Sequence, residues 1–310
     1  MISKINKMTI GSEEISMNTN YDIIKENEKL TIDSKPLGKG AYGTVYRGEF
    51  NHAQVAVKVI EIDEGMDEEE VKKSLKEIAI MKVMNHPNLV NFYGYKSDSK
   101  TLTIVLELCE GGSLRRLLSS TSYLTLRQSL KILLDSSAAL FHLHSKGGLH
   151  RDIKSENFLL VDSVKTEDSN IIVKMTDYGL SKVIDMTKTQ STRTNCGTPQ
   201  WTAPEVFLTD DEDTPTTYGS KADIYSFAVF MWEVFTRKIP YSGQKLSPGQ
   251  IGPMVAYKGL RPDLKLLPGD TPADVKDLIV KCFDKDPNVR PDIGQIYDTI
   301  KKLYIESDTF

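Results

Sequence analysis

One glycine-rich stretch gives the first indication of the fold, Leu37-Gly38-Lys39-Gly40-Ala41-Tyr42-Gly43-Thr44-Val45. Its spacing, G-x-G-x-x-G-x-V, lets the backbone approach phosphate oxygens closely, because glycine N–H groups carry no Cβ beside them. A flexible hairpin and a dinucleotide-binding turn can share this spacing. A dinucleotide site needs a helix directly after the glycines, whereas Thr44-Val45-Tyr46 continues as a strand. The stretch therefore predicts a hairpin.

A lysine follows on the next predicted strand, Gln54-Val55-Ala56-Val57-Lys58. A lysine that ends an apolar strand is costly unless its ammonium group meets a charge, such as phosphate oxygens or a carboxylate. The alternative is a lysine that points to water. A candidate partner is Glu77, within the helix predicted from Met66 to Met84, although a helix glutamate is more simply a solvated side chain.

Five separated motifs, in this order, resemble those of a eukaryotic protein kinase domain. They are the glycine-rich stretch, Lys58 with Glu77, His150-Arg151-Asp152-Ile153-Lys154-Ser155-Glu156-Asn157, Asp177-Tyr178-Gly179, and Ala203-Pro204-Glu205. Asp223 and Arg290 match two further landmarks of the family, and Tyr178 departs from its usual phenylalanine. The resemblance covers about residues 27–305.

Two lobes are expected from the pattern of elements and from the resemblance. The fold class is α+β, with a small antiparallel β-rich N-lobe at about 27–108 that carries one regulatory helix. A hinge at about 107–112 contains Gly111-Gly112. It leads to a larger, mainly α-helical C-lobe at about 113–305. Residues 1–22 are polar and lack periodicity, so they are expected to form a disordered leader.

The resemblance implies a catalytic set for phosphoryl transfer. Lys58 would hold the α- and β-phosphates of ATP, and Glu77 would fix Lys58. Asp152 would accept or orient the proton of the attacking hydroxyl, and Lys154 would neutralise charge on the transferred group. The metal ligands for Mg²⁺ would be Asn157 and Asp177.

The resemblance also implies a slot for the nucleotide. Leu106 is at the gatekeeper position, and the backbone of Glu107 to Cys109 would bind the adenine ring, which Val45 and Ala56 would cover from above and Leu159 from below. The residues that the resemblance predicts to bind the nucleotide are Leu37, Gly38, Gly40, Gly43, Val45, Ala56, Lys58, Leu106, Glu107, Cys109 and Leu159.

The choice of acceptor is predicted from two features. Lys154 and the segment Gly197-Thr198-Pro199 are typical of serine/threonine kinases, whereas Trp201, Trp232-Glu233 and Cys282-Phe283 are typical of tyrosine kinases. The mixture is similar to the tyrosine-kinase-like group, whose members mostly phosphorylate Ser/Thr. Serine/threonine protein substrates in signalling are therefore expected, and dual specificity stays open.

Regulation is expected in the hydroxyl-rich segment from Thr187 to Thr194. Arg151, which precedes Asp152, is placed as in kinases that grip a phosphate on this segment, and arginine pairs well with phosphate. Thr194 is the first candidate phosphosite and Thr192 the second, modified by an upstream kinase or by autophosphorylation. A solvated threonine-rich loop is the alternative interpretation.

Composition excludes several other classes of function. A formal net charge of -4 gives no basic field for nucleic acid. No apolar stretch is long enough for membrane insertion. The three cysteines are far apart and indicate a reducing compartment, so a cytoplasmic location is expected.

Two rival functions remain from the sequence. One is a pseudokinase scaffold, which the complete motif set disfavours, and the other is a kinase for small molecules. Polar insertions are expected at 161–170 and 209–218.

Overall fold

The computed structural model describes the chain in segments. They are residues 7–10, 13–16, 24–25, 28–40, 43–62, 78–98, 100–120, 124–167, 169–178, 198–208 and 219–307, with the backbone alone for 7–10 and 13–16. Several sequence predictions lie outside these ranges. They are Glu77 with the first part of the predicted helix, the segment 187–194 with Thr192 and Thr194, Gly179, Gly197 and the insertion at 209–218.

A short hairpin lies within the segment expected to be a disordered leader. Strands β1 (Lys7–Ile10) and β2 (Glu13–Ser16) are antiparallel, with Lys7 opposite Ser16. Each strand has four residues, which is too short for an alternating pattern to be recognised against a polar background. The disordered leader expected over residues 1–22 stays a prediction.

Five antiparallel strands form the main sheet, in the order β3-β4-β5-β7-β6. Their bounds are β3 (Leu30–Gly40), β4 (Gly43–Phe50), β5 (Ala53–Glu61), β6 (Phe92–Ser97) and β7 (Thr101–Glu107). The predicted glycine-rich hairpin is confirmed, because β3 pairs with β4 up to Gly40 opposite Gly43.

The two faces of this sheet have different neighbours. Because side chains alternate along a strand, Val55 and Val57 of β5 lie on one face and pack with Val105 and Ile24 in a small apolar cluster. Ile24 also donates its N–H to the Tyr95 carbonyl at 2.9 Å, which holds it against the sheet. The opposite face of β5 carries Ala56 and Lys58 toward the second lobe.

A helix lies between β5 and β6 in the sequence. Residues 78–83 (α1) are helical, which agrees with the C-terminal part of the predicted helix. Ile78, Ile80 and Met81 are buried in the large core that continues into the second lobe. This apolar contact holds α1 beside the cleft.

The connection between the lobes requires a glycine. After β7 the chain passes Gly111, whose N–H donates to the Leu160 carbonyl at 3.0 Å. A Cβ at Gly111 would collide with the Asp162 carbonyl oxygen and the Leu160 side chain. Strand β8 (Gly112–Ser113) then joins β9 (Phe158–Leu160) and β10 (Val173–Met175) in a small sheet of order β10-β9-β8.

The second lobe is mainly helical, as predicted. Its helices are α2 (Leu114–Ser119), α3 (Leu126–Ser145), α4 (Pro204–Phe207), α5 (Ser220–Thr236), α6 (Pro248–Lys258), α7 (Ala273–Cys282) and α8 (Ile293–Glu306). Every residue of α5 from Ala222 to Phe235 is buried. A helix that is apolar on all sides belongs in a core, and α5 is the central support of this lobe.

Helix α6 was not predicted from the sequence. It contains Pro248, Gly249, Gly252 and Pro253, which normally interrupt a helix. A capping box at Ser247, with Gln250 as the reciprocal partner, satisfies its first turn. Within the described parts of the chain, no helix has both the length and the apolar character needed to cross a membrane.

Candidate active site

Lys58 faces the cleft between the lobes. It lies on β5 opposite Val45 of β4, and its side chain is buried. The Lys58 Nζ atom lies 3.3 Å from Oδ1 of Asp177, which follows β10. Two residues 119 positions apart in the sequence are therefore brought together. The predicted partner of Lys58, Glu77, lies outside the described residues.

Asp177 is held by its neighbour in the sequence. The Tyr178 ring is buried, and its hydroxyl donates to the Val90 carbonyl at 2.8 Å. A buried tyrosine needs a partner for its hydroxyl, and Val90 supplies it. The departure from phenylalanine at this position is thus accommodated, and the Asp177 side chain stays 38% exposed in the cleft.

The centre of the site is the Asp152 carboxylate. Lys154 Nζ lies 2.7 Å from Oδ2 of Asp152 and donates at 2.7 Å to Oγ1 of Thr198. The Thr198 hydroxyl in turn donates to Oδ1 of Asp152 at 2.9 Å. Burial alone would raise the pKa of Asp152, but its bonds to Lys154 and Thr198 outweigh burial and hold the pKa below its usual value. Asp152 is therefore an ionised acceptor at neutral pH.

Asn157 links the catalytic loop, residues 150–157, to the strand before Asp177. Its amide nitrogen donates to the Asp152 backbone carbonyl at 2.7 Å and to Oδ2 of Asp152 at 3.0 Å. Its backbone carbonyl accepts from Thr176 N at 2.9 Å. Since the amide nitrogen is used in this way, the amide oxygen is the atom left to act as a ligand.

Asp223 supports the start of the catalytic loop from α5. Its carboxylate accepts from the backbone N–H groups of His150 and Arg151, both at 2.8 Å, and lies 2.9 Å from Nε2 of His144. Complete burial would raise the pKa of Asp223, yet its hydrogen bonds to His144 and to the Arg151 N–H leave the pKa lowered. This aspartate has a structural role and does not face the cleft.

Glu233, at the other end of α5, binds three more segments. It accepts from Ser155 Oγ at 2.6 Å, from Arg115 Nη1 at 2.7 Å and from Trp201 Nε1 at 3.2 Å. Burial raises its pKa, although Ser155 and Arg115 oppose the rise. This single carboxylate joins the catalytic loop, α2 and the segment before α4. Trp201 and Glu233 could not be associated from the sequence, because no local spacing connects residues so far apart.

Glu205, the last residue of the Ala203-Pro204-Glu205 motif, forms an ion pair with Arg290. Arg290 is fully buried and donates to both carboxylate oxygens of Glu205, at 2.7 and 2.8 Å. Two parallel bonds fix the relative orientation of both groups. The start of α4 is thereby held on the helical lobe beside Thr198.

The predicted adenine slot is lined on three sides. Ala56 lies opposite Leu106 on adjacent strands, and Leu106 and Cys109 are 7% and 8% exposed. Leu159 lies on β9 below. The other members of the predicted set are on the hairpin above: Leu37, Gly38 and Gly40 on β3, and Gly43 and Val45 on β4.

The Glu107 side chain is directed away from this slot. Its carboxylate lies 2.7 Å from Lys174 Nζ on β10 and accepts from Asn91 N at 3.1 Å. Only its backbone remains a candidate for adenine binding, as predicted. The neighbouring thiol of Cys109 has its pKa raised by burial to about 12.

Comparison with known proteins decides the family. Residues 32–300 match the family model described as protein kinase domain. The chain belongs to the protein kinase family. Members of this family use ATP and a divalent metal ion, and the expected bilobal α+β kinase fold is confirmed.

Several relatives of this kinase are named as serine/threonine kinases. It is 33% identical over 307 residues to the probable serine/threonine-protein kinase SIS8 of Arabidopsis thaliana, across 97% of this chain and 28% of that protein. It is 33% identical over 280 residues to serine/threonine-protein kinase STY17 of the same plant, across 90% and 45%. It is 33% identical over 291 residues to the probable serine/threonine-protein kinase drkA of Dictyostelium discoideum, across 91% and 42%. The kinase spans less than half the length of these relatives.

The residues predicted to hold a divalent ion fit that task. Asp177 offers a partly exposed carboxylate, and Asn157 offers its amide oxygen. Within the described residues, no group of three or more His, Cys, Asp or Glu side chains could hold a metal by itself. A magnesium site typically has one or two protein ligands, with substrate phosphates and water completing the shell. Asn157 and Asp177 are therefore suited to bind a metal ion that is also coordinated by the nucleotide phosphates.

Proposed function

We propose that this kinase transfers the γ-phosphate of Mg²⁺-ATP to serine or threonine hydroxyls of protein substrates in signalling. The observation that carries the proposal is the position of Asp152 between Lys154 and Thr198. An ionised carboxylate can take or orient a hydroxyl proton, and the ammonium group beside it can meet the charge of the transferred group. The names of the relatives support the choice of serine and threonine.

The reaction follows from this arrangement. The substrate hydroxyl oxygen forms a bond to the γ-phosphorus while the bond from that phosphorus to the β–γ bridging oxygen breaks, and ADP leaves with the electron pair. The hydroxyl proton passes to Asp152. Lys58 would hold the α- and β-phosphates. Asn157 and Asp177 would hold Mg²⁺, which when bound supplies positive charge to the phosphate oxygens.

The test is a radiolabelled-ATP assay with Mg²⁺ and a basic protein acceptor, followed by identification of the labelled amino acid. Asp152→Asn should reduce the rate by about 10²- to 10⁴-fold, the usual range for losing a positioned acid–base group. Asp270→Asn, at an exposed position, is the matched control and should keep the wild-type rate. Wild-type protein that binds ATP but labels no acceptor would favour the pseudokinase scaffold, and label on tyrosine as well would establish dual specificity.

Activation by phosphorylation is part of the proposal, with Thr194 as the main site and Thr192 as the second. The support is chemical: the segment is rich in hydroxyls, and Arg151 lies next to Asp152. An upstream kinase or autophosphorylation would supply the phosphate. Mass mapping of active protein should find phosphate at Thr194, and active protein without modification across residues 187–194 would contradict this expectation.

A reducing, cytoplasmic location is also proposed, without nucleic acid as a partner. Its support is the state of Cys109 and Cys282, which are free and buried. Microscopy of the tagged protein with a cytoplasmic marker tests the location, and accumulation in a secretory compartment would contradict it.

A further inference from the structure

Arg47 and Glu110 form a two-pronged ion pair between the lobes. Nη1 of Arg47 donates to Oε1 of Glu110 at 2.6 Å, and Nη2 donates to Oε2 at 2.5 Å. Each of the two guanidinium nitrogens meets one carboxylate oxygen, and this bidentate geometry adds orientational specificity to the ion pair. The two residues are 63 positions apart in the sequence, so the pair is a tertiary contact.

The ion pair lies at the outer edge of the predicted adenine slot. Arg47 is two residues beyond Val45 on β4 and opposite Ala56 on β5, so its side chain leaves the same face of the sheet as these two slot residues. Glu110 directly follows Cys109, and its N–H donates to the Val161 carbonyl at 2.9 Å. Arg47 thus lies on the strand that covers the slot, and Glu110 is fixed to the helical lobe.

The hairpin of β3 and β4, which covers the slot, has little other packing along β3. From Thr31 to Gly40, every residue of β3 is exposed. This strand and β4 carry the glycines predicted to cover the phosphates. A contact that ties the hairpin to the hinge therefore acts on a part of the sheet that apolar burial restrains weakly.

Both partners are ionised across the neutral range. The hydrogen bond to Glu110 raises the pKa of Arg47, and the hydrogen bond to Arg47 lowers the pKa of Glu110. Their side chains are 34% and 48% exposed. Water and salt therefore weaken the attraction, and substitutions at these positions leave the core intact.

We propose that Arg47 and Glu110 are positioning residues that latch the outer edge of the slot and slow the escape of a bound adenine nucleotide. The latch rests on the proposed function, because it presupposes a nucleotide between β4 and the hinge. The ion pair contacts neither the phosphates nor the acceptor hydroxyl, so its effect is on the lifetime of the complex between the kinase and the nucleotide.

The experiment measures release of a fluorescent ADP analogue by stopped flow. The variants are Arg47→Glu, Glu110→Arg and the double reversal R47E/E110R. Each single reversal should speed release about two- to fivefold, the scale of a partly exposed ion pair, and the double reversal should return the rate toward wild type. Raising NaCl to about 1 M, where the screening length is about 3 Å, should speed release from wild type but not from the neutral variant R47Q/E110Q.

Lys302→Glu, at an exposed lysine near the end of α8, is the matched control for Arg47→Glu, because both replace a positive charge by a negative one. It should release the analogue at the wild-type rate. Single reversals that release at the wild-type rate, or a double reversal no closer to wild type than the singles, would overturn the latch alone. Failure of wild type to bind the analogue would overturn the proposed function and the latch with it. R47Q/E110Q replaces any reversal variant that does not fold, and it should release as fast as the single reversals do.

Discussion

The Thr198 hydroxyl donates a 2.9 Å hydrogen bond to Oδ1 of Asp152. This bond joins the segment before α4 to the carboxylate proposed to take the proton. The same hydroxyl accepts from Lys154, so one side chain orders both charged groups of the catalytic loop.

Removal of this hydroxyl should slow transfer more than it weakens ATP binding. Thr198→Ala should lower kcat about 10- to 100-fold, since a hydrogen bond to a charged group contributes about 1.5–3 kcal/mol. The KM for ATP should stay within about twofold. Thr198→Ser keeps the hydroxyl and is the matched control. Steady-state kinetics test this, and a kcat for Thr198→Ala equal to that of Thr198→Ser would contradict it.

The pH dependence of catalysis should respond to Lys154. Lys154 lowers the pKa of Asp152, so its replacement by methionine should raise that pKa. The ionised form of Asp152 is then lost at a higher pH as the solution is acidified, and the acid limb of kcat/KM should move upward. Profiles from about pH 4.5 to 8 measure the shift. Lys285→Met, at an exposed position, should leave the limb in place, and an unmoved limb in Lys154→Met would contradict the assignment.

The Glu233 carboxylate should be needed for both stability and activity. Glu233→Gln presents an amide N–H₂ to the donors of Ser155, Arg115 and Trp201, so at least one donor loses its acceptor. An unsatisfied buried donor costs about 1–3 kcal/mol, which urea unfolding can measure. Trp201→Phe in the Glu233→Gln background removes one of these donors and should recover part of the loss. Equal stability of the single and double variants would argue against the network.

The two described thiols should be inert at neutral pH. Burial raises the pKa of Cys109 and that of Cys282 to about 12 each, and the thiolate is the reactive form. Iodoacetamide at about pH 7.5 should leave both unmodified in the folded protein and modify both in urea. Peptide mass mapping resolves the sites. Rapid labelling of Cys109 in the folded protein would show that the hinge opens or that its thiol is more acidic than its burial implies.

Much of the fold could be predicted because its signals are local. The alternation in Gln54–Lys58 and the strand character after Gly43 determine the hairpin and the face on which Lys58 lies. The catalytic loop motif likewise contains Asp152, Lys154 and Asn157 within six positions. Local spacing and resemblance were sufficient for these parts.

The parts that could not be predicted depend on distant residues. Ser155 and Glu233 are 78 positions apart, and Arg47 and Glu110 are 63 apart. In both cases each residue is of a type common in its helix, strand or loop, so the sequence gives no sign of the partner. Only the folded structure brings the two residues together. Helix α6 was missed for the opposite reason, because its local signals of Pro and Gly contradict the structure that packing and the Ser247 cap stabilise.

Arg151 and Asp177 have backbone φ angles of 69° and 56°, in the left-handed region that costs an ordinary L-residue about 1–2 kcal/mol. Glycine would relax either position, yet Asp177→Gly would delete the proposed metal ligand. The chemistry of the cleft is therefore maintained against the local conformational preference of the chain. Selection of variants for melting temperature alone would favour substitutions that disable the enzyme. Thermostabilisation of this protein therefore needs a paired screen for phosphoryl transfer.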